Sequence, residues 1–498
     1  MQVSTNLVIW LWAVPLIISL LAFLVRGVRS RGLLEILHLI GIIVLLILSL
    51  WVAKLVLIND TLIAAGDWFY IDKLASIFVI VIGIMGFLNG LYSIGYMRHD
   101  MATGEVDLNK LSIYYGFFHL FIFTMLLAVV SNNIALMWAA VEATTLGSTF
   151  LVGLYYHKTS LEAAWKYVLI CSVGVAFALY GTVLIYSNAF NVLQNAHGSM
   201  FWTMIVQNAK ALDPFIARLA FVFIVIGFGT KAGLFPMHAW LPDAHSEAPS
   251  PVSAMLSGVL LKCALFAIIR YYVIVGLATG PAFPQILLLV FGLLSVGFAA
   301  FFVFSQRDIK RLLAYSSVEN VGIIATGLGV GGALGAFAAL FHTINHSIAK
   351  SLMFCCSGNI LIKYGTRDLD VIKGMLKVAP VSGFLLGCGA LAVAGSPPFN
   401  VFVSEFLTVS AGLQRGYIWL MILFLLFLLV VFAAFLRMIG EALFGSPPEN
   451  VTRGDVNWYT LLPIALLFIL MFGLGVYIPS PLSQLLKGAA AIVTGGMG

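Results

Sequence analysis

Fourteen apolar runs, each about as long as a bilayer is thick, follow one another along the chain, and no other feature restricts its possible folds so tightly. They occupy residues 4 to 25, 33 to 58, 75 to 97, 111 to 131, 133 to 156, 166 to 187, 214 to 236, 250 to 275, 282 to 305, 312 to 330, 333 to 362, 378 to 399, 416 to 443 and 459 to 479. A helix needs roughly 20 apolar residues to cross the hydrocarbon core. In lipid every backbone polar group must be satisfied internally, so runs of this length predict helices. Of the 498 residues, 62% are hydrophobic and 9% charged, against about 25% charged in soluble domains. The expectation is an all-α integral membrane protein of about 14 transmembrane helices, one polytopic domain with no room for a soluble one.

The net charge of +6 does not imply nucleic acid, because the basic residues sit beside the spans and form no solvated stripe. They report orientation instead. With the N-terminus outside, the cytoplasmic loops receive sixteen basic residues, Arg26, Arg29, Arg31, Arg98, Lys110, Lys158, Lys166, Arg307, Lys310, Arg311, Lys363, Arg367, Lys373, Lys377, Arg437 and Arg453. The outer side receives six, Lys73, Lys210, Arg218, Arg270, Arg415 and Lys487. The positive-inside rule then puts both termini outside. The N-terminal run lacks a basic leader and a small-residue cleavage site, so it reads as a retained first span. All five cysteines fall in apolar runs without CxxC spacing and read as small buried hydrophobes, not metal ligands.

Two spans are interrupted. Gly227 to Lys262, GFGTKAGLFPMHAWLPDAHSEAPSPVSAMLSGVLLK, acquires Lys231, breaks at Pro236, passes through a polar turn and re-enters apolar sequence after Pro249 and Pro251. Ala394 to Phe406, AGSPPFNVFVSEF, breaks at Gly395, Pro397 and Pro398 and then carries Glu405. Paired interruptions in two halves of a transporter point to an inverted repeat with its site at the breaks. The broken spans are the seventh and twelfth, five apart, and the same offset relates Glu142 to Glu319. Two five-helix units follow: spans 4 to 8 (residues 111–275) and spans 9 to 13 (282–443). Three helices precede them (1–110), and a last helix and tail follow (459–498).

Ionisable residues inside spans are expensive, about 2.5 to 3.5 kcal/mol for a central lysine on insertion scales, and are functional by default. Glu142 is followed at helical spacing by Thr145 and Thr149, with Lys231 its candidate partner. Lys262 lies too deep to reach the surface. His342, His346 and Lys350 stand at i, i+4 and i+8, one polar stripe on an apolar helix. With Glu405 they make a series alternating acid and base, in which moving one charge changes the affinity of the next group for a proton. His238, Asp243, His245 and Glu247 fit no zinc spacing and sit among prolines; a polar mouth is expected there, not a metal site. Asp308, Lys310 and Arg311 read as a cytoplasmic hinge, or equally, for the two basic residues, as a topological anchor.

GTKAGLFPMHAWLPDAHSEAPSPVSA, DIKRLLAYSSVENVG, HTINHSIAKSLMF and AGSPPFNVFVSEF together resemble the antiporter-like membrane subunits of respiratory complex I and its hydrogenase relatives. The wording from Trp138 onward, WAAVEATTLGSTFLVGLYYHKTSLEAAWKY, together with SVEN and KYGTRDLDVIKGMLK, is most similar to the hydrogenase-4 component F branch. The resemblance implies proton translocation through Glu142, Lys231, Lys262, His342, His346, Lys350 and Glu405, with Lys166 near the Glu142 and Lys231 pair. It implies a bacterial cytoplasmic membrane, further antiporter-like membrane subunits as partners, and peripheral hydrogenase large, small and iron–sulfur subunits. The chain has no ligand set for haem, flavin, nickel or iron–sulfur, so no cofactor and no electron transfer are expected within it. Glu405 stands where the most distal complex I subunit has a lysine, and the chain stops too soon for that subunit's long lateral helix.

Overall fold

The computed structural model describes residues 2–25, 30–449 and 451–495. Arg26 and Arg29, counted above among the cytoplasmic charges, lie outside the described residues. The helices, in order, are α1 (Gln2–Leu24), α2 (Arg31–Asn59), α3 (Lys73–Ala102), α4 (Leu108–Val130), α5 (Ile134–Val152), α6 (Lys158–Leu193), α7 (Trp202–Gln207), α8 (Pro214–Ala232), α9 (Leu241–Glu247), α10 (Ser250–Met255), α11 (Leu261–Thr279), α12 (Ala282–Ser305), α13 (Ile309–Val330), α14 (Gly332–Tyr364), α15 (Met375–Val378), α16 (Pro380–Val393), α17 (Asn400–Gln414), α18 (Ile418–Leu443), α19 (Trp458–Val476) and α20 (Ser480–Val493). A helix corresponds to every expected span. Among the described residues, eleven stretches are long and apolar enough to cross a membrane by length and composition. The others miss for a visible reason: α13 and α14 carry the buried charges, and the twelfth span is split into α16 and α17.

Helix starts are set by side chains that accept from otherwise unpaired N–H groups. Asp72 accepts from Ala75, Asp107 from Lys110, Asn133 from Ala135 and Leu136, Asp213 from Ile216, and Asp308 from Lys310 and Arg311. These caps lie at the two ends of the bundle, where polar sequence meets apolar. Both expected interruptions are present, the first slightly earlier than Pro236: α8 stops at Gly233, whose φ of 83° suits glycine, and α16 stops before Gly395, φ 72°. Glu405 belongs to α17, beyond the 378 to 399 limits of its expected span.

Packing follows the five-helix units. α4 touches α5 and α11, as α12 touches α13 and α18; α6 packs on α8 as α14 packs on α17. In each unit the first and last spans close on each other. α6 and α8 approach at small residues: a Cβ on Gly227 would strike the Ala178 backbone, and one on Gly181 the Ala220 carbonyl. α3, the α10 to α11 stretch and α14 form the buried centre, while α1, α2, α18 and α19 expose large apolar side chains around the rim.

Four features differ from the sequence reading. A short hairpin, β1 (Leu62–Ala64) and β2 (Phe69–Ile71), joins α2 to α3 and meets the 131–133 and 201 turns, so the long connection after α6 is packed against it. α6 is longer than its apolar run, beginning at Lys158. The C-terminal stretch forms α20, which lies against α3 and α14. Arg270, counted as an outer-side charge, is 2% exposed and pairs with Asp72 at 2.6 Å, its guanidinium 4.1 Å from the Trp202 ring centre. It is a buried tie between α3 and α11, not a loop anchor.

Candidate functional site

Three groups of buried polar side chains lie along the middle of the bundle. The first is built on α5, α6 and α8. Ser172 donates to Glu142 Oε1 at 2.7 Å, and the other carboxylate oxygen is buried without a partner. Lys231, fully buried in the last turn of α8, does not pair with Glu142 directly, contrary to the sequence expectation. Its ammonium instead donates to Thr145 Oγ1, one turn along from Glu142, and to Tyr167 OH at 2.9 Å. Tyr167 in turn meets Ser148 at 2.7 Å. Each of the two groups is thus bonded to hydroxyls of its own. Thr149 turns its hydroxyl to the Thr145 carbonyl and takes no part.

The second group joins α10, α11, α13 and α14. Between α10 and α11 the helix widens into a π-helical turn, Leu256–Leu260, a feature often found at functional sites. The Ser257 carbonyl in that turn accepts from Lys262 Nζ. The Ser257 hydroxyl meets Ser317 Oγ at 2.7 Å; Ser317 donates to the Leu313 carbonyl at 2.9 Å, and Lys350 Nζ donates to the same carbonyl at 3.0 Å. Lys262 and Lys350, on different helices, are thus each held by a backbone carbonyl, that of Ser257 and that of Leu313, beside the bonded pair of serine hydroxyls.

The third group joins α13, α14 and α17. Glu319 accepts from Ser316 at 3.1 Å and from Asn320 at 2.8 Å, leaving Oε1 unpartnered. Asn320 Oδ1 lies 3.1 Å from His342 Nε2, and His342 Nδ1 lies 2.9 Å from Ser404 Oγ. An amide oxygen only accepts, so His342 Nε2 carries a proton. Ser404 then donates to Nδ1 when the ring is neutral and accepts from it when the ring is charged. In the second case its own proton has the Val401 carbonyl, 2.9 Å away, to go to. The ring can therefore change charge by rotation of one hydroxyl. His346 lies parallel to His342, ring centres 6.2 Å apart, with both nitrogens unpartnered. Glu405, next to Ser404, folds against Gly395: a Cβ there would overlap its Oε2, so the turn admits glycine on steric as well as backbone grounds.

Between the first two groups stands the turn from α8 to α10. Trp240 packs at a tilt against Tyr167, ring centres 4.6 Å apart, and donates to the Thr230 carbonyl at 2.8 Å; His245 lies between Trp240 and Phe354, neither nitrogen partnered. Burial, with Lys350, Lys310 and Lys262 adding to it, lowers the His245 imidazole to about 3, so the ring is neutral at ordinary pH. His238, half-buried among Phe235, Phe302 and Tyr315, is also lowered by burial.

Asp243 lies at the surface of this turn and holds both Lys166, at 3.2 Å, and Arg311. Lys166 is 47% exposed and also pairs with Glu162 at 2.7 Å, so it lies at the surface beside Asp243 and is not among the hydrogen-bond partners of Lys231. Its neighbour Tyr167 makes that contact. Beside the mouth opens a vestibule of about 540 Å³, lined by Asp100, Tyr155, His157, Glu247, Lys310 and Arg367 among others. Lys310 donates to the Ala248 carbonyl at 2.6 Å, Arg367 pairs with Glu247 at 3.1 Å and Asp308 at 3.4 Å, and α13 is thereby tied to α9. The Asp308 to Arg311 segment does more than mark a side of the membrane.

Sequence reasoning found the charges and missed much of what connects them. Glu319 was noted only as the five-span counterpart of Glu142. Tyr167, Ser257, Ser317, Asn320 and Ser404 gave no signal of their own, although SVEN in an apolar helix could have raised Glu319 and Asn320.

Residues 131–432 match the family described as NADH:quinone oxidoreductase/Mrp antiporter, transmembrane, and residues 68–104 match the complex I chain 5 N-terminus. A hydrogenase-4 component F homolog from Methylacidiphilum infernorum is 40% identical over 421 residues, 83% of this chain and 86% of that one. Among solved structures, a chain of the archaeal membrane-bound sulfane sulfur reductase superposes with a TM-score of 0.87 at 26% identity, covering 99% of this chain and 98% of that one. A chain of the Mrp complex from Dietzia sp. DQ12-45-1b gives 0.85 at 20% identity, covering 99% and 98%, a likeness of fold. With the interrupted spans and the buried row of charges they position, these matches make the chain a multi-pass membrane protein and a member of the antiporter-like subunit family shared by complex I, Mrp antiporters and hydrogenase-4.

Proposed function

We propose that this chain translocates protons as the antiporter-like subunit of a redox-driven complex, a nickel–iron hydrogenase of the hydrogenase-4 or formate hydrogenlyase type, in the bacterial cytoplasmic membrane with both termini outside. One observation supports the proton reading: two buried lysines, Lys262 and Lys350, are held on backbone carbonyls beside the hydrogen-bonded Ser257 and Ser317 hydroxyls, and the helices of Ser317 and Lys350, α13 and α14, also supply Glu319, Asn320 and His342 of the hydrogen-bond chain that reaches Ser404. The hydroxyls and imidazoles exchange protons, and the carbonyls hold the ammonium heads in register. Each transfer alters the charge felt by the next group. Electrons stay in partner subunits, with no cofactor in this chain; their redox step reaches it as a push on the Glu142 and Lys231 region. The hydrogenase assignment is supported by the 40% identical relative. Further antiporter-like subunits and peripheral nickel-site and iron–sulfur subunits are the partners it entails.

The test is proton movement in vesicles holding the assembled complex. Lys231→Ala should abolish pumping while redox turnover continues in part. If pumping survived in both Lys231→Ala and Glu142→Ala, the chain would be an inert anchor. A second reading, a subunit of a sodium/proton antiporter, is favoured by the fit to the Mrp chain. Sodium-dependent exchange with antiporter partners and no redox subunits would establish it.

A further inference from the structure

A second cluster of buried titratable groups lies among α2, α3 and α4, away from the row just described. His38 and His119 are fully buried, with His38 Nδ1 3.0 Å from His119 Nε2. The Gly90 carbonyl lies 3.0 Å from His38 Nε2; a carbonyl only accepts, so that nitrogen bears a proton. In the neutral ring His38 Nδ1 is then an acceptor, and the proton between the rings belongs to His119 Nε2. His119 Nδ1 is left as a bare lone pair, buried and unpartnered. A proton bound there balances when the Nε2 proton of His119 passes to His38 Nδ1: one N–H forms at His119 Nδ1, one breaks at His119 Nε2 and one forms on His38. His119 stays neutral and His38 becomes the cation, with no heavy atom displaced.

The surroundings suit a site that is loaded and emptied. From α2, Glu35 stands one turn from His38 but is clamped by Arg98 at 2.9 and 2.7 Å and by Arg31 at 3.5 Å, so it does not cancel the charge outright. From α4, Tyr115 stacks on His38 at 4.3 Å, and its hydroxyl and that of Tyr114 are buried without hydrogen bonds. From α3, Ser93 lies 3.3 Å from His38 Nε2 and faces the Tyr114 hydroxyl. Gly90, Ser93, Tyr96 and Asp100 follow at spacings of three and four, on one face of α3. That face leads to the vestibule, which Tyr96 and Asp100 line and where Tyr155 donates to Asp100 at 2.6 Å.

We propose that His38 and His119 form a proton-holding pair, supplied from the vestibule along the Asp100, Tyr96 and Ser93 face of α3, as a branch outside the row from Glu142 to Glu405. The inference rests on the reading of the chain as a proton-translocating subunit. His119→Gln is the variant of choice, because the amide keeps an N–H for His38 Nδ1 yet binds no further proton. In vesicles with the assembled complex, protons moved per redox turnover should fall at least twofold in His119→Gln, with turnover retained. An unchanged ratio overturns the pair. Lys231→Ala, run alongside, separates the two claims: if it abolishes pumping while His119→Gln leaves the ratio intact, only the pair falls, and if it too pumps normally, both fall. Should His119→Gln fail to assemble, Ser93→Ala, which removes a single hydroxyl, reads the same ratio, and a wild-type value there overturns the pair. A merely structural role would lower thermal stability and leave the ratio unmoved.

Discussion

Single side chains decide whether a charge in this bundle is fixed or transferable. His342 is placed for transfer: whichever charge it carries, Ser404 presents the matching half of a hydrogen bond. Ser404→Ala removes the donor that neutral His342 needs, and losing one such bond, worth about 1 to 1.5 kcal/mol, should slow proton translocation about tenfold without preventing assembly. Initial rates of vesicle acidification check this, and a wild-type rate would remove His342 from the path. Much of this chemistry was legible in the sequence, since Lys231, Lys262 or Glu405 in an apolar run stands out against its neighbours. The direct Glu142 and Lys231 pair is not formed, because the Lys231 ammonium is taken up by Thr145 and Tyr167 and the Glu142 carboxylate by Ser172. Serine and threonine occur throughout membrane helices, satisfying their own turns as Thr149 does, so a bridging Ser317 looks no different from an idle one until its neighbour is known.

At the scale of elements, helix ends and breaks were readable and lateral partners were not. Gly233 and Gly395 mark the two interruptions because the chain turns through positive φ there. The hairpin between α2 and α3 was missed, its strands being three residues each and apolar throughout, so that the alternation in burial has no counterpart in the sequence. Arg270 was misassigned for a related reason: a charge near a span end looks like a topological anchor unless its partner, here Asp72 at the start of α3, is seen across the fold. Arg270→Met should destabilise the bundle by about 3 to 5 kcal/mol, because it strands a buried carboxylate. Thermal denaturation of the detergent-solubilised chain measures it, and pairing Arg270→Met with Asp72→Asn should recover part of the loss. An unaltered melting curve for the single variant would mean the pair holds nothing together.

In the whole molecule, two five-helix units bring their breaks to the middle of one bundle, and the ionisable residues of both lie there in one row. An odd number of spans per unit makes the second enter from the opposite face, so the Glu142 and Lys231 region of the first is matched by Glu319 and Glu405 in the second. Lys262 and the α14 stripe join the halves. The most direct measurement of proton passage along this row is acidification per redox turnover in sealed vesicles containing the assembled complex, wild type against Lys350→Met. Lys350 is fully buried with its ammonium bonded to the Leu313 carbonyl, so methionine fills much of its space and removes the titratable ammonium. The expected result is a fall of tenfold or more in protons moved per turnover, with redox turnover continuing; an unchanged ratio would contradict a proton path through the row.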